Sequence, residues 1–370
     1  MKFKNMIVAT IFVASLTMGG LLSIHQALAA DVNDAPLPFK IDATNSDPDR
    51  PIRPFSIPYI GPLVDTHSHL VPMRGNKHAF NDDVLEAIEK AHVARIVHLP
   101  PPNEAVFNDP TIKKRREQLR QDSHGRVLVM CGSDYLTQWM NRAASEGKIP
   151  DDVNTRMEQL SQDLKGGLCS GAGEIGFFHF NKTGHQNVVK LPALYPPLLA
   201  IAETTARAGA WLDMHAEPVE PNGTSHREEV FTTISAMFKR APELRLICSH
   251  TCLTNPQNAR ALLTAFPNLM MNLKNFRNPP EWGHLEPITN LDGEIYTDWA
   301  TLLEEMPDRF MIGMDFMFGR TEASSYPRNI KKIRKMLGSL NRETARRIAF
   351  ENAERVFGVV PRVWEKGLIE

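Results

Sequence analysis

The run Asp65-Thr66-His67-Ser68-His69 sets two imidazoles two residues apart. On an extended strand, residues i and i+2 point to the same side, so both rings reach one ion. Further groups of metal-binding type fall at or near the ends of apolar runs: Glu174, His215, His250 and Asp315. Imidazole nitrogen with carboxylate oxygen suits zinc, manganese or iron better than calcium or magnesium. The expected cofactor is therefore a divalent transition metal, zinc first, as one ion or two. An ion so held brings the pKa of bound water towards neutrality, and Asp315 is placed to take the remaining proton as hydroxide attacks. Alone, each piece is weak. A lone His-x-His is more often a satisfied polar pair, and a strand-end glutamate such as Glu174 a cap or salt-bridge partner. His250, between Ser249 and Thr251, would pass for a hydrogen-bonded core residue, and Asp315 for the cap of the loop from Met317 to Arg320. The ordered set across five strands carries the reading.

The elements that must position these groups alternate short β-type runs with amphipathic helical runs, the pattern of parallel βα units. Strands are expected near Pro62–His69, Ala94–Leu99, Arg126–Cys131, Gly171–Phe177, Trp211–His215, Leu244–His250, Leu269–Leu273 and Phe310–Asp315. Helices are expected over Asp82–His92, Thr111–Asp122, Asp151–Leu164, Leu194–Ala208, Glu228–Arg240, Pro256–Ala265, Tyr296–Glu305, Arg328–Leu337 and Arg342–Phe357. Eight such units favour an α/β fold of the closed (β/α)8 TIM-barrel type, whose catalytic groups project from the carboxyl ends of the strands. A doubly wound sheet would usually carry a glycine-rich phosphate turn after its first strand, where this chain has His-x-His.

The segments Val64–His69, Gly173-Glu174-Ile175-Gly176, Met214-His215, Ser249-His250-Thr251 and Gly313-Met314-Asp315 together resemble the amidohydrolase superfamily, in particular its amidohydrolase-related and TatD-type branches. The closing run Glu351–Phe357 resembles that family's last helix, so the resemblance covers roughly residues 62–358. It implies that His67, His69 and Asp315 hold one ion. It implies that His215 and His250 either hold a second or divide into ligand and catalytic residue. Many members bridge two ions with a carboxylated lysine on strand four; this chain has Glu174 there, as in the TatD-type branch. A mononuclear site of His67, His69, His215 and Asp315, with His250 polarising the substrate, stays open.

Other groups carry less. Lys274, Asn275, Arg277 and Arg320 lie at or beyond strand ends and suit an anionic substrate group, or a solvated loop equally well. His78, His98, His179 and His185 read as structural or pocket-rim groups; Trp282 and His284 lie in the loop after strand seven. The basic runs Lys113–Arg116 and Lys331–Lys335 read as solvated helix faces. The four cysteines, Cys131, Cys169, Cys248 and Cys252, read as buried or loosely paired thiols ahead of one or two disulfides. Lys2 and Lys4, an apolar stretch from Met6 and the small residues Ala27-Leu28-Ala29 read as a signal peptide over residues 1–29. A periplasmic or secreted protein follows, with no stable membrane insertion after cleavage. An extended arm is expected over 30–61, the barrel over 62–360 and a tail over 361–370.

The formal net charge of -1 and the lack of a basic face interleaved with aromatics disfavour nucleic acid as a partner. The leading reading is hydrolysis of an ester, lactone, amide or phosphoester bond in a small-molecule substrate, with Asp315 and His250 as the catalytic residues. The alternatives are a metal-dependent non-oxidative decarboxylase and a non-catalytic metal- or ligand-binding barrel; a homo-oligomer is compatible with each.

Overall fold

The computed structural model describes residues 36–360 apart from 48, 56, 71–79, 103–109, 181–187, 275–285 and 320. The expected signal peptide and tail lie outside the described residues, as do His78, His185, Asn275, Arg277, Trp282, His284 and Arg320.

The chain folds as a distorted (β/α)8 barrel. Its strands are β1 (Val64–Leu70), β2 (Arg95–His98), β3 (Val127–Val129), β4 (Gly171–His179), β5 (Trp211–Ala216), β6 (Arg245–Cys248), β7 (Leu269–Leu273) and β8 (Phe310–Ile312). β1 pairs in parallel with β2, and β2 with β3. The third strand then breaks at Met130, and its continuation Cys131–Gly132 pairs with β4 instead. From β4 the parallel order runs through β5, β6 and β7 to β8. The eighth strand breaks in the same way: after Gly313–Asp315 the segment Phe316–Phe318 pairs with β1. Single backbone bonds carry the ring across both breaks. Met130 N donates to His98 O (2.9 Å), Gly313 N to Leu273 O (2.9 Å) and Asp315 N to His67 O (2.8 Å).

Every residue of β1 is buried, because one face looks into the barrel and the other lies under helices. Its polar residues are therefore bonded. Thr66 Oγ1 donates to Ile312 O (2.8 Å) and Ser68 Oγ to Val97 O (3.2 Å). Asp65 accepts from Met314 N (2.9 Å) and from the Tyr326 hydroxyl (2.9 Å). Apolar side chains close the opposite end of the barrel: Val64, Ala94, Ile247, Met270 and Met311 pack with Ala353 and Val360. The metal-capable residues thus sit at the carboxyl ends of the strands, above a packed floor.

The helices match the amphipathic runs closely, with one addition. A helix over Ser133–Ser145 buries Tyr135, Leu136, Trp139 and Met140 directly after the third strand. The helical spacing of those four residues was present in the sequence and was not among the expected elements. The extended arm, where described, lies along the barrel: Asp42 N donates to Asn258 Oδ1 (2.8 Å), and Arg53 N to Ile295 O (2.9 Å).

Two expectations are corrected. The cysteines are not thiols. Cys131 is bonded to Cys169 and Cys248 to Cys252, with Cα–Cα separations of 5.7 and 5.2 Å. The pairing of Cys131 with Ala172 sets Cys169 beside it, and a tight turn folds Cys252 back on Cys248. Nor are the basic runs wholly solvated. Arg116 is mostly buried and pairs with Asp134 at 2.9 Å. Arg334 is likewise part-buried, donating to the carbonyls of Gly61 (2.8 Å) and His92 (2.9 Å). In both, the helix turns one cation of the run inward, where a carboxylate or carbonyls receive it.

Candidate metal centre

All six groups singled out in the sequence converge at the barrel mouth. His67 and His69 leave β1 on the same side, their Nε2 atoms 3.2 Å apart. Glu174 reaches between the two halves of the set. Its Oε2 faces His67 Nε2 (3.5 Å) and His69 Nε2 (3.6 Å). Its Oε1 faces His215 Nδ1 (2.7 Å) and His250 Nε2 (3.6 Å). Asp315 also spans the halves, with Oδ1 3.1 Å from His69 Nε2 and Oδ2 3.8 Å from His250 Nε2. Side chains of this set are at most 12% exposed, so the carboxylates have little access to bulk water.

Local backbone explains the placement. Glu174 follows Gly173, whose φ is 147° and where a Cβ would fall 2.6 Å from Asp213 Cβ; only glycine allows β4 to lie this close to β5. Asp315 itself has φ 49°, in the link between β8 and Phe316–Phe318, so its side chain leaves the regular strand direction. His250 is placed by a turn over Ser249–Leu253 in which four successive residues have positive φ: His250 (55°), Thr251 (60°), Cys252 (52°) and Leu253 (45°). Each such non-glycine residue costs about 1–2 kcal/mol. The Cys248–Cys252 bond spans the turn, and Asn272 Oδ1 accepts from His250 N at 2.7 Å.

Residues not anticipated from the sequence orient the ligand rings. His69 Nδ1 bonds Leu99 O at 2.8 Å; a carbonyl only accepts, so that nitrogen carries the proton and Nε2 keeps its lone pair. His67 Nδ1 lies 3.1 Å from Ser249 Oγ, and that hydroxyl donates to Asp213 Oδ1. This fixes the second ring the same way, with Nε2 turned to the site. Two nitrogen lone pairs 3.2 Å apart beside a carboxylate repel unless a cation lies between them. Without an ion a proton does this work. Although burial opposes it, Glu174 and Asp213 hold His67 well above the usual histidine range. Glu174 is correspondingly well below the carboxylate range, burial being overruled by His67 and His215. His250 moves the other way: burial presses it down to about 3, so it is neutral at any ordinary pH. The donor set, four imidazoles and two carboxylates, fits one or two divalent transition ions, with Glu174 offering one oxygen to each half.

Two further placements bear on the site. Lys274, at the end of β7, pairs with Asp315 Oδ2. Burial opposes ionisation of Asp315, but Lys274 and His69 hold that carboxyl well below its usual range. Glu217, absent from the expected set, stands two residues after His215 with Oε1 3.3 Å from His215 Nε2. Its H-x-E spacing repeats the i, i+2 logic of His67 and His69, which is the signal that would have found it. His179, read as structural or a rim group, completes that contact at 3.1 Å from His215 Nε2. His98 is structural as read: fully buried, it accepts from Leu70 N at 3.2 Å.

No protein-family model and no curated protein matches the chain. Among solved structures it is similar to a beta-aspartyl dipeptidase from the thermophilic keratin-degrading Fervidobacterium islandicum, at 14% identity and TM-score 0.49, over 89% of this chain and 79% of that one. It is similar to an uncharacterized TIM-barrel protein from Bordetella bronchiseptica, at 12% identity and TM-score 0.45, over 80% and 98%. An amidohydrolase from Burkholderia multivorans with bound zinc gives 13% identity and TM-score 0.43, over 81% and 100%. At these values the likenesses carry no functional argument, which has to come from the side chains at the barrel mouth.

Proposed function

We propose that this chain is a metal-dependent hydrolase of the amidohydrolase type, with His67, His69, Glu174, His215, His250 and Asp315 as the residues that hold one or two zinc-class ions. The observation that carries the reading is the pair of imidazole lone pairs turned on each other at 3.2 Å, each ring fixed from behind, with Glu174 across both halves. A bound ion supplies Lewis acidity, polarising the substrate and bringing water towards its ionised form at neutral pH. The chain supplies the rest. Asp315, kept ionised beside Lys274, accepts the proton from the attacking water. His250, kept neutral, faces the same point from the opposite half; with two ions it is a ligand, and with one ion its N–H polarises the scissile group. The substrate class is a small molecule with an ester, lactone, amide or phosphoester bond, entering at the mouth above β1 and β4–β6. Export by the 1–29 leader belongs to the same proposal. The two disulfides support it, since such bonds persist in oxidising compartments.

Elemental analysis of the purified protein tests the site. One or two transition ions per chain are expected, none in a His67→Ala/His69→Ala double variant, and one fewer in Glu174→Gln if that carboxylate bridges. Full ion content in the double variant would sink the assignment.

A further inference from the structure

The chain holds His250 by an unusual arrangement that the proposed reaction does not itself require. β6 ends at Cys248, and the next residues turn with a left-handed backbone through four successive non-glycine positions. Glycine is the residue that ordinarily occupies positive φ, yet the turn reads Ser-His-Thr-Cys-Leu. What closes it is covalent: Cys248 and Cys252 are bonded, so His250 is the middle residue of a five-residue ring of chain. Both cysteines are fully buried, which shields the sulfurs from thiol reagents in bulk.

The hand of the turn decides where the imidazole goes. With the left-handed backbone, His250 Nε2 lies 3.6 Å from Glu174 and 3.8 Å from Asp315, with its ring 4.7 Å from that of His67 and 5.3 Å from that of His215. A right-handed turn leaving Cys248 would send the same side chain in another direction, because the sign of φ sets the direction of the Cα–Cβ bond relative to the strand. Ser249, which orients His67 through its hydroxyl, lies inside the same ring of chain. One covalent closure therefore governs a residue in each half of the site.

We propose that the Cys248–Cys252 disulfide is a positioning clamp for His250, enforcing the left-handed turn that brings its imidazole to Glu174 and Asp315. The proposal rests on the metal-site reading above, and its test separates the two. Two full-length variants remove the bond: Cys248→Ala/Cys252→Ala, and Cys248→Ala/Cys252→Gly, in which glycine accepts the positive φ without the bond. Zinc affinity is measured by competition with a chelator, ligand geometry by the visible spectrum of the cobalt-loaded protein, and the turn itself by hydrogen exchange of residues 249–253 in ion-free protein. The alanine pair is expected to bind zinc about ten- to a hundredfold more weakly, as when groups that orient ligands are lost. Its cobalt spectrum changes and its turn exchanges faster. The glycine pair is expected to recover roughly threefold or more of that affinity, which a bond serving stability alone would not produce. Wild-type affinity with an unaltered spectrum in the alanine pair overturns the clamp, as does equal loss in both pairs with exchange unchanged. If the wild-type protein takes up no ion, the metal reading fails. Exchange then decides the clamp by itself: faster in the alanine pair and slowed again in the glycine pair upholds it, and unchanged or equally fast in both removes it.

Discussion

The two halves of the candidate centre are built by different means. His67 and His69 stand on a regular strand, and their convergence follows from the two-residue repeat of extended chain. His250 stands on a turn of the wrong hand for L-residues, kept there by a disulfide and by Asn272. The first half takes its direction from the strand, and Leu99 O and Ser249 then orient its rings. The second depends on Cys248, Cys252 and Asn272, three residues that coordinate nothing themselves. Metal-binding geometry can thus come free with secondary structure, or it can be imposed against local preference, and one barrel mouth here uses both.

Asp315 touches both halves of the centre, so its loss is expected to have the largest effect. Asp315→Asn keeps the size and an oxygen acceptor but cannot take a proton. Turnover on an ester, lactone and phosphoester panel is expected to fall about 10²- to 10⁴-fold while ion content by elemental analysis is retained. Loss of the ions along with turnover would make Asp315 chiefly a ligand.

Smaller effects come from the groups behind the rings. Ser249→Ala removes the hydroxyl between His67 and Asp213, and Asn272→Ala removes the acceptor for His250 N together with a contact to His67 Nδ1 at 3.3 Å. Each is expected to weaken zinc binding about 10- to 100-fold in chelator competition. Asn272→Ala should have the larger effect, since Asn272 supports the left-handed turn and also touches His67. The reverse order would mean that the hydroxyl behind His67 matters more than the support of the turn.

The smallest expected effect is on stability and lies beside the first half, at His98. Burial first, then the charge of Arg116, holds this ring well below the usual histidine range. The unfolded chain therefore binds the extra proton before the folded one does. His98 contributes its full share above pH 6.5 and loses it as the pH falls below that. The loss runs at about 1.4 kcal/mol per pH unit for one proton. His98→Asn keeps an acceptor for Leu70 N and should remove that slope from urea unfolding of the ion-free protein between pH 6.5 and 5. An unchanged slope would show that the ring titrates normally.

Much of this architecture was legible in the chain. The alternation of apolar runs and amphipathic helices implies βα units, and strand-end positions for His67, His69, Glu174, His215, His250 and Asp315 follow from where those runs stop. Those residue types already make a divalent-metal site, because donor chemistry belongs to the side chain and not to its surroundings. Tertiary structure decided the rest. Asp213, Ser249 and Asn272 look like ordinary strand residues until β5, β6 and β7 are laid side by side behind His67. Arg116 reads as one charge in a basic run until Asp134 from the next helix meets it. Cys248 and Cys252, four residues apart, give no sign by themselves that the chain between them is left-handed. Which residues can bind is a local property, written in composition and spacing. Which way each one faces depends on pairings across dozens of residues, and on a turn whose hand local preference opposes.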